Sequence, residues 1–265
     1  MIDFTVRISI FLVVFSSLMT WQWLAPRGPL LQWKQRWRHN LILLMLGSLC
    51  VRLFQPLLLS LVALSNQDTG WLSQLGLPFW SIVIISVLLL DGLIYWQHRL
   101  FHRVPLLWRL HRVHHSDPEL DVSSAIRFHP VEIVLSLCIK ASAVWVFGIP
   151  VEAVLIFDVL LNASAMFNHT NVRLSPRLEK WVKVLVVTPD MHRIHHSRVS
   201  EEANSNYGFF LSIWDAFFRS KRNQALQGDA ALNIGMPGTT KYQPATLIDI
   251  LVMPLKTFKK SRKSE

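Results

Sequence analysis

An all-α fold is the class this 265-residue sequence predicts: a polytopic membrane helical bundle, three spans plus a helical hairpin, with a cytoplasmic histidine-rich helical cap. Three observations carry that expectation. Hydrophobic residues make up 51% of the chain against 17% charged, and mean hydropathy is +0.33, too apolar for an ordinary soluble domain of this length. Apolar stretches recur at the length a helix needs to cross a bilayer. Ten of the eleven histidines fall between His98 and His196, at spacings that a helix gathers onto one face.

The apolar stretches run roughly over 8–25, 41–64 (interrupted by Arg52 and Pro56), 77–97, 131–147 and 151–167, the last two joined by Gly148-Ile149-Pro150. The first three are long enough to cross. The last two, at about 25 Å each, fall short of a ~30 Å hydrocarbon core, so that hairpin either spans or only dips in. Arg7 ahead of the first run has the look of a secretory leader, but Trp21 and Trp23 form an interfacial belt and no small-x-small cleavage pattern follows, which favours a retained helix. Arg27, Lys34, Arg36 and Arg38 lie between the first two stretches, whereas no Lys or Arg occurs from Leu53 to His98, a segment that includes the Asp68 loop. The first loop is then expected inside and the Asp68 loop outside. The third span delivers His98 to the cytoplasmic side, among Arg99, Arg103, Arg109, Arg112 and Arg127. A net charge of +10, with Lys256, Lys259, Lys260, Arg262 and Lys263 in the tail, suits an anionic inner leaflet, and the apolar content argues against nucleic acid as partner. One domain is expected: spans over 1–97, a histidine-rich segment over 98–130, the hairpin over 131–167, and a cytoplasmic cap with basic tail over 168–265.

Eight histidines sit in three tight clusters: His98 with His102 in HRLFH, His111 with His114 and His115 in HRVHH, and His192 with His195 and His196 in HRIHH. A given window matches H-x-x-H-H by chance with probability of order 10⁻⁴, so two matches in one chain are a strong signal for a polynuclear metal site. Cys50 and Cys138 both lie in apolar runs, which leaves the metal to nitrogen and oxygen donors. Asp91, Tyr95, His98 and His102 form one stripe along the third span, and Asp158, Asn162, Ala165 and His169 repeat that spacing on another, bringing a further histidine to the same depth. A carboxylate inside an apolar span is costly unless partnered, so Asp91 and Asp158 are candidates for orienting a metal-bound imidazole, with Tyr95 able to do the same. Asp158 has a second reading as the ion-pair partner of Lys140, at equal depth across the 148–150 turn. Thr188-Pro189-Asp190 reads as a helix start just before the last cluster, and 177–184 alternates basic and apolar residues as an interfacial helix does. The aromatic run from Tyr207 to Phe218 reads as core packing. About four or five imidazoles per metal suit iron and dioxygen chemistry better than zinc, which normally closes at four ligands.

These blocks resemble the fatty acid hydroxylase and sterol desaturase superfamily of integral-membrane, non-haem di-iron enzymes. The likeness covers roughly Asp91 to Phe218 and rests, in order, on DGLIYWQHRLFH, HRVHHS, RFHPVE at Arg127 to Glu132, FNHTN at Phe167 to Asn171, MHRIHHS, and NYG at Asn206 to Gly208. The resemblance implies that His98, His102, His111, His114, His115, His169, His192, His195 and His196 hold the metal. It leaves His129 either as a tenth ligand or as a supporting residue, with Glu132 or Arg127 as neighbours. It further implies two iron ions, dioxygen as co-substrate, a lipid substrate entering from the bilayer, and hydroxylation or desaturation of a C–H bond. No room is seen for a fused haem domain, so a separate electron donor is expected, a ferredoxin or a small haem protein with its reductase. A membrane zinc hydrolase or zinc transporter is the rival reading, and a bis-histidine haem protein ranks below it.

Overall fold

The computed structural model describes residues 2–63, 70–237 and 246–257, and among them finds helices and short turns but no strand, only two isolated bridges. The Asp68 loop and tail residues Lys259, Lys260, Arg262 and Lys263 lie outside the described residues. Five long helices form the bundle among the described residues: α1 (Ile2–Leu24), α2 (Trp33–Ala63), α3 (Phe79–Arg103), α5 (Pro130–Phe147) and α6 (Val151–His169), with α4 (Pro105–His115) as a shorter arm after α3. Two further helices, α7 (Pro176–Leu185) and α8 (Pro189–His195), belong to the cap.

Four helices are long and apolar enough to cross a membrane: Thr5–Leu24 of α1, α3, α5 and α6. The two hairpin helices therefore reach the required length, because each runs past its apolar stretch at the histidine end, α5 beginning at Pro130 and α6 continuing to His169. Outward side chains on all four of these helices, among them Leu12, Val13, Ile84, Val131, Val146 and Ile156, are exposed, which lipid rather than water accommodates. Inside, Leu90 and Ile94 of α3 pack against Ala153, Phe157 and Met166 of α6, and Phe209 of the cap joins that core.

The helices alternate in direction, so the end of α3, the start of α5 and the end of α6 share one end of the bundle with α4 and α8. At the other end Leu72 N–H donates to the Phe147 carbonyl at 3.0 Å, and Gly70 lies so close to Gly148 that a Cβ there would sit 2.3 Å from its Cα. Gly148 itself ends α5 at φ +66°, a left-handed cap that glycine adopts without strain.

At the histidine end a buried polar network clamps α2 to the segment after α4. Arg36, counted above as a loop charge, donates instead to Asp117 and, at 2.7 Å, to Asp121, with its side chain 4% exposed. Burial alone would raise the Asp117 pKa, but the Arg36 guanidinium holds it below the usual carboxylate range. Asn40 bridges Ser123 and Arg127 in the same network.

Candidate metal centre

Nine histidines from α3, α4, α6 and α8, the last with its C-terminal cap residue His196, converge at this end in two groups. One holds His98, His102, His111, His115 and His195; the other holds His114, His169, His192 and His196; within each group the ligand atoms all lie within 4.8 Å of one another. In the four-histidine group the Nε2 of His169 is 3.1 Å from those of His114 and His192 and 3.2 Å from that of His196. The groups abut: His115 stacks on His196 with centroids 4.4 Å apart, and His192 stacks on His195 at 5.2 Å.

Local sequence explains the aim of these rings. His98 and His102 occupy one face of α3 a turn apart, and HRVHH and HRIHH each put three rings on one side of a helix end. Pro105 starts α4 and Pro189 starts α8, each at a position where the missing N–H costs nothing, and Thr188 Oγ1 caps α8 by accepting from Met191 N–H.

Far-side nitrogens fix the tautomers. His111 Nδ1–H donates to Glu132 Oε1 at 2.6 Å, while the Nδ1 atoms of His98, His195 and His169 each lie 2.7 Å from a carbonyl, of Tyr207, Ser205 and Ala165 respectively. Each such bond places the proton on Nδ1 and leaves a lone pair on Nε2 facing inward. A metal tests well against these donors. The Nε2 atoms of His98, His102, His111 and His195, and both ring nitrogens of His115, are buried without any hydrogen-bond partner, and the four inward nitrogens of the second group face one another with nothing else to bond. A bound cation in each group supplies the missing acceptor of those lone pairs. Burial drives the His111 pKa down to about 3, and burial followed by neighbouring imidazoles holds His114, His115, His192, His195 and His196 well below the ordinary histidine value. Neutral rings are what metal binding requires.

The other residues singled out from the sequence have these places. Glu132 reaches His111, as above. Arg127 sends its side chain to the Val113 carbonyl, Asn40 and Ser116, while its own carbonyl lies 3.3 Å from His114 Nδ1. Tyr95 bonds Ser220 at 2.7 Å and packs edge-on against Tyr207, whose carbonyl holds His98. Asp91 accepts from Trp214 Nε1 at 2.8 Å and from Leu211 N–H at 3.2 Å, tying the cap to α3 rather than touching a ring. Asp158 is held by Arg7 at 2.6 Å and Lys140 at 3.0 Å, the pairing that the turn geometry allowed, and Asn162 donates to its backbone carbonyl. His129 lies outside both groups: its Nδ1 caps α5 by accepting from Val131 N–H, and its Nε2 lies 3.2 Å from the Leu251 carbonyl.

One supporting residue was not anticipated. Asp215, fully buried, accepts from the N–H groups of Tyr207 and Gly208 at 2.8 Å and from Ser220 at 2.6 Å, and so shapes the turn whose carbonyls hold His98 and His195. Asn206 at φ +52° reverses the chain there and bonds the Met191 carbonyl. A lone carboxylate inside the aromatic run 207–218 was the available signal.

The model of the fatty acid hydroxylase family matches residues 83–220, the stretch that carries all nine converging histidines. The chain belongs to the fatty acid hydroxylase family. Within the family's wider circle it is similar to an ornithine lipid hydroxylase of Rhizobium tropici, 31% identical over 163 residues that cover 61% of this chain and 47% of that protein. It is similar also to the alkylglycerol monooxygenase of Homo sapiens, 30% identical over 132 residues (47% and 27% of the two chains), and to a very-long-chain aldehyde decarbonylase of Oryza sativa subsp. indica, 23% identical over 161 residues (54% and 25%). This chain thus spans about half or less of the length of these relatives. No solved structure matches.

Proposed function

We propose that this chain is an integral-membrane, dioxygen-dependent oxidoreductase that hydroxylates a C–H bond of a membrane lipid at a centre of two irons. The observation that carries the reading is the convergence of nine neutral imidazoles in abutting groups of five and four at one end of an apolar bundle. Two irons held there would supply reductive activation of dioxygen and removal of hydrogen from an unactivated C–H bond. The ligands in this reading are His98, His102, His111, His115 and His195 for one ion and His114, His169, His192 and His196 for the other. Glu132 takes the His111 Nδ1 proton in a hydrogen bond and raises that ring's basicity, and the Tyr207, Ser205 and Ala165 carbonyls orient theirs. Burial of the rings keeps bulk water from the reacting carbon. The position of the site at the end of the spans lets an acyl or alkyl chain enter from the bilayer.

Hydroxylation is favoured over desaturation by the names of the hydroxylase and monooxygenase relatives, and the two outcomes part only at the last step, where substrate pose decides. A separate electron-donor protein, a cytoplasmic placing of the histidines and C-terminus, and a single domain formed by spans and cap complete the proposal. The zinc reading is not favoured, because a group of five histidines exceeds the four ligands at which zinc normally closes. The test compares lipid extracts of cells expressing the chain with those expressing His195→Ala. A lipid gaining one oxygen, or losing two hydrogens, only with the unaltered chain supports an oxidase; hydrolysis products in their place contradict it.

A further inference from the structure

Outside the two histidine groups, a second set of charges gathers where α8 meets the loops leaving the bundle. Arg27 lies three residues beyond the end of α1 and Arg173 four residues beyond the end of α6. Arg27 donates to both oxygens of Asp229 at 2.6 Å and also to Asp190, and Arg173 pairs with the same Asp229. Glu179 of α7 accepts from Thr188 at 2.7 Å, with Lys183 and Arg27 close enough to act on its charge. Arg193, between His192 and His195 on α8, feels the fields of Arg27, Arg173 and Asp190. Among the described residues no hydrogen bond or ion pair holds its guanidinium, and its Nε is buried without a partner.

Arg27, Arg173 and Arg193 thus gather around Asp190 and Asp229, with Glu179 and Lys183 alongside, and among the described residues neither the Arg193 guanidinium nor the Lys183 ammonium has a hydrogen bond or ion pair. Arg193 is half-buried, with its Nε enclosed and unpartnered, so its planar fork of donors is open to an acceptor from outside the protein, and a phosphate fits such a fork with two parallel bonds. The depth of the cluster names the source of the phosphate. Trp21 and Trp23 close α1 just before Arg27, and α7 beside it leaves Leu178, Trp181, Val184 and Leu185 exposed along an amphipathic helix. Both features mark the level of lipid headgroups, where phosphate is the densest anion.

We propose that Arg193, supported by Arg27 and Arg173, binds the phosphate of a membrane phospholipid beside the metal-bearing helix. The site stands whatever reaction the centre performs, and its test reads binding alone. Full-length protein purified in neutral detergent is incubated with phosphatidic acid or with diacylglycerol of the same chains, and bound lipid is measured by native mass spectrometry. Phosphatidic acid should be retained selectively. Arg193→Gln should weaken retention about tenfold or more. Arg173→Gln, a change at a side chain 56% exposed and so harmless to folding, should weaken it several-fold. Asp229→Asn, which removes a competing carboxylate, should tighten it. Equal retention of diacylglycerol, or no effect of either arginine variant, overturns the proposal. So does inorganic phosphate stabilising the protein against heat as well as phosphatidic acid does. Loss of binding to an acidic electron-donor protein in Arg193→Gln, with lipid retention unchanged, would assign the face to a protein partner and likewise overturn it.

Discussion

Glu132→Gln should weaken one metal and spare the other. The Glu132 carboxylate contacts a single ring, His111, at 2.6 Å, and His111 belongs to the five-histidine group. Both side chains are almost wholly buried, at 6% and 1% exposure, so water cannot replace the lost partner. With a cation on His111 Nε2 the ring's Nδ1–H favours an ionised Glu132; a hydrogen bond to such a charged acceptor contributes about 1.5–3 kcal/mol, and a neutral amide oxygen in the same place retains about half of that. The difference, about 1–1.5 kcal/mol, corresponds to about a tenfold loss of affinity at that site. Glu132→Ala removes the acceptor altogether and strands a buried N–H, which takes the loss to about a hundredfold. Chelator competition with apoprotein reloaded with cobalt(II) resolves the two binding steps. One step should shift tenfold and then a hundredfold while the other stays in place. Equal weakening of both steps, or an alanine variant that binds as the parent does, would refute the reasoning that the carboxylate acts through the His111 tautomer.

Three further outcomes follow from the same geometry. His169→Ala removes the nitrogen lying 3.1–3.2 Å from three others in the four-histidine group and should leave one tightly held ion per chain by elemental analysis, whereas His129→Ala, which loses the cap of α5 and the bond to the Leu251 carbonyl at a cost of about 1 kcal/mol each, should keep two. Mild acid should destabilise the apoprotein. Burial keeps the His111 pKa at about 3 in the fold while the unfolded chain takes up a proton near the ordinary ~6.5, so stability is present above that pH and falls by about 1.4 kcal/mol per ring for each pH unit below it, and an apoprotein Tm unchanged between pH 7.5 and 5.5 contradicts this. A cysteine replacing exposed Arg38 should react with an impermeant thiol reagent only from the cytoplasmic side and one replacing exposed Val151 only from outside; the reverse pattern inverts the topology.

The bundle and the ring convergence were legible in the sequence because both rest on periodicity. Apolar length marks a span, and i, i+3, i+4 spacing puts HRVHH and HRIHH each on one helix side, so the local half of the site needs no tertiary knowledge. How the nine rings divide was not legible. His114 and His115 are adjacent in sequence yet serve different groups, as do His195 and His196, because neighbouring residues on a helix point about 100° apart and so face different centres. The positioning roles divided along chemical lines. Glu132 reaches a ring, but Asp91 is taken up by Trp214 and Asp158 by Arg7 and Lys140, since a carboxylate in an apolar span is satisfied by whichever donor the packing brings near. Of the far-side nitrogens that find a partner, all but that of His111 turn to backbone carbonyls, which carry no residue signature, and the Asp215 that shapes the turn holding His98 and His195 looked like part of an aromatic core.

Metal content measured directly on purified, iron-supplemented protein tests the central claim, that groups of five and four imidazoles form two adjoining sites. Elemental analysis combined with Mössbauer spectroscopy should find two irons per chain, magnetically coupled when oxidised. One iron per chain, or two that show no coupling, would contradict it.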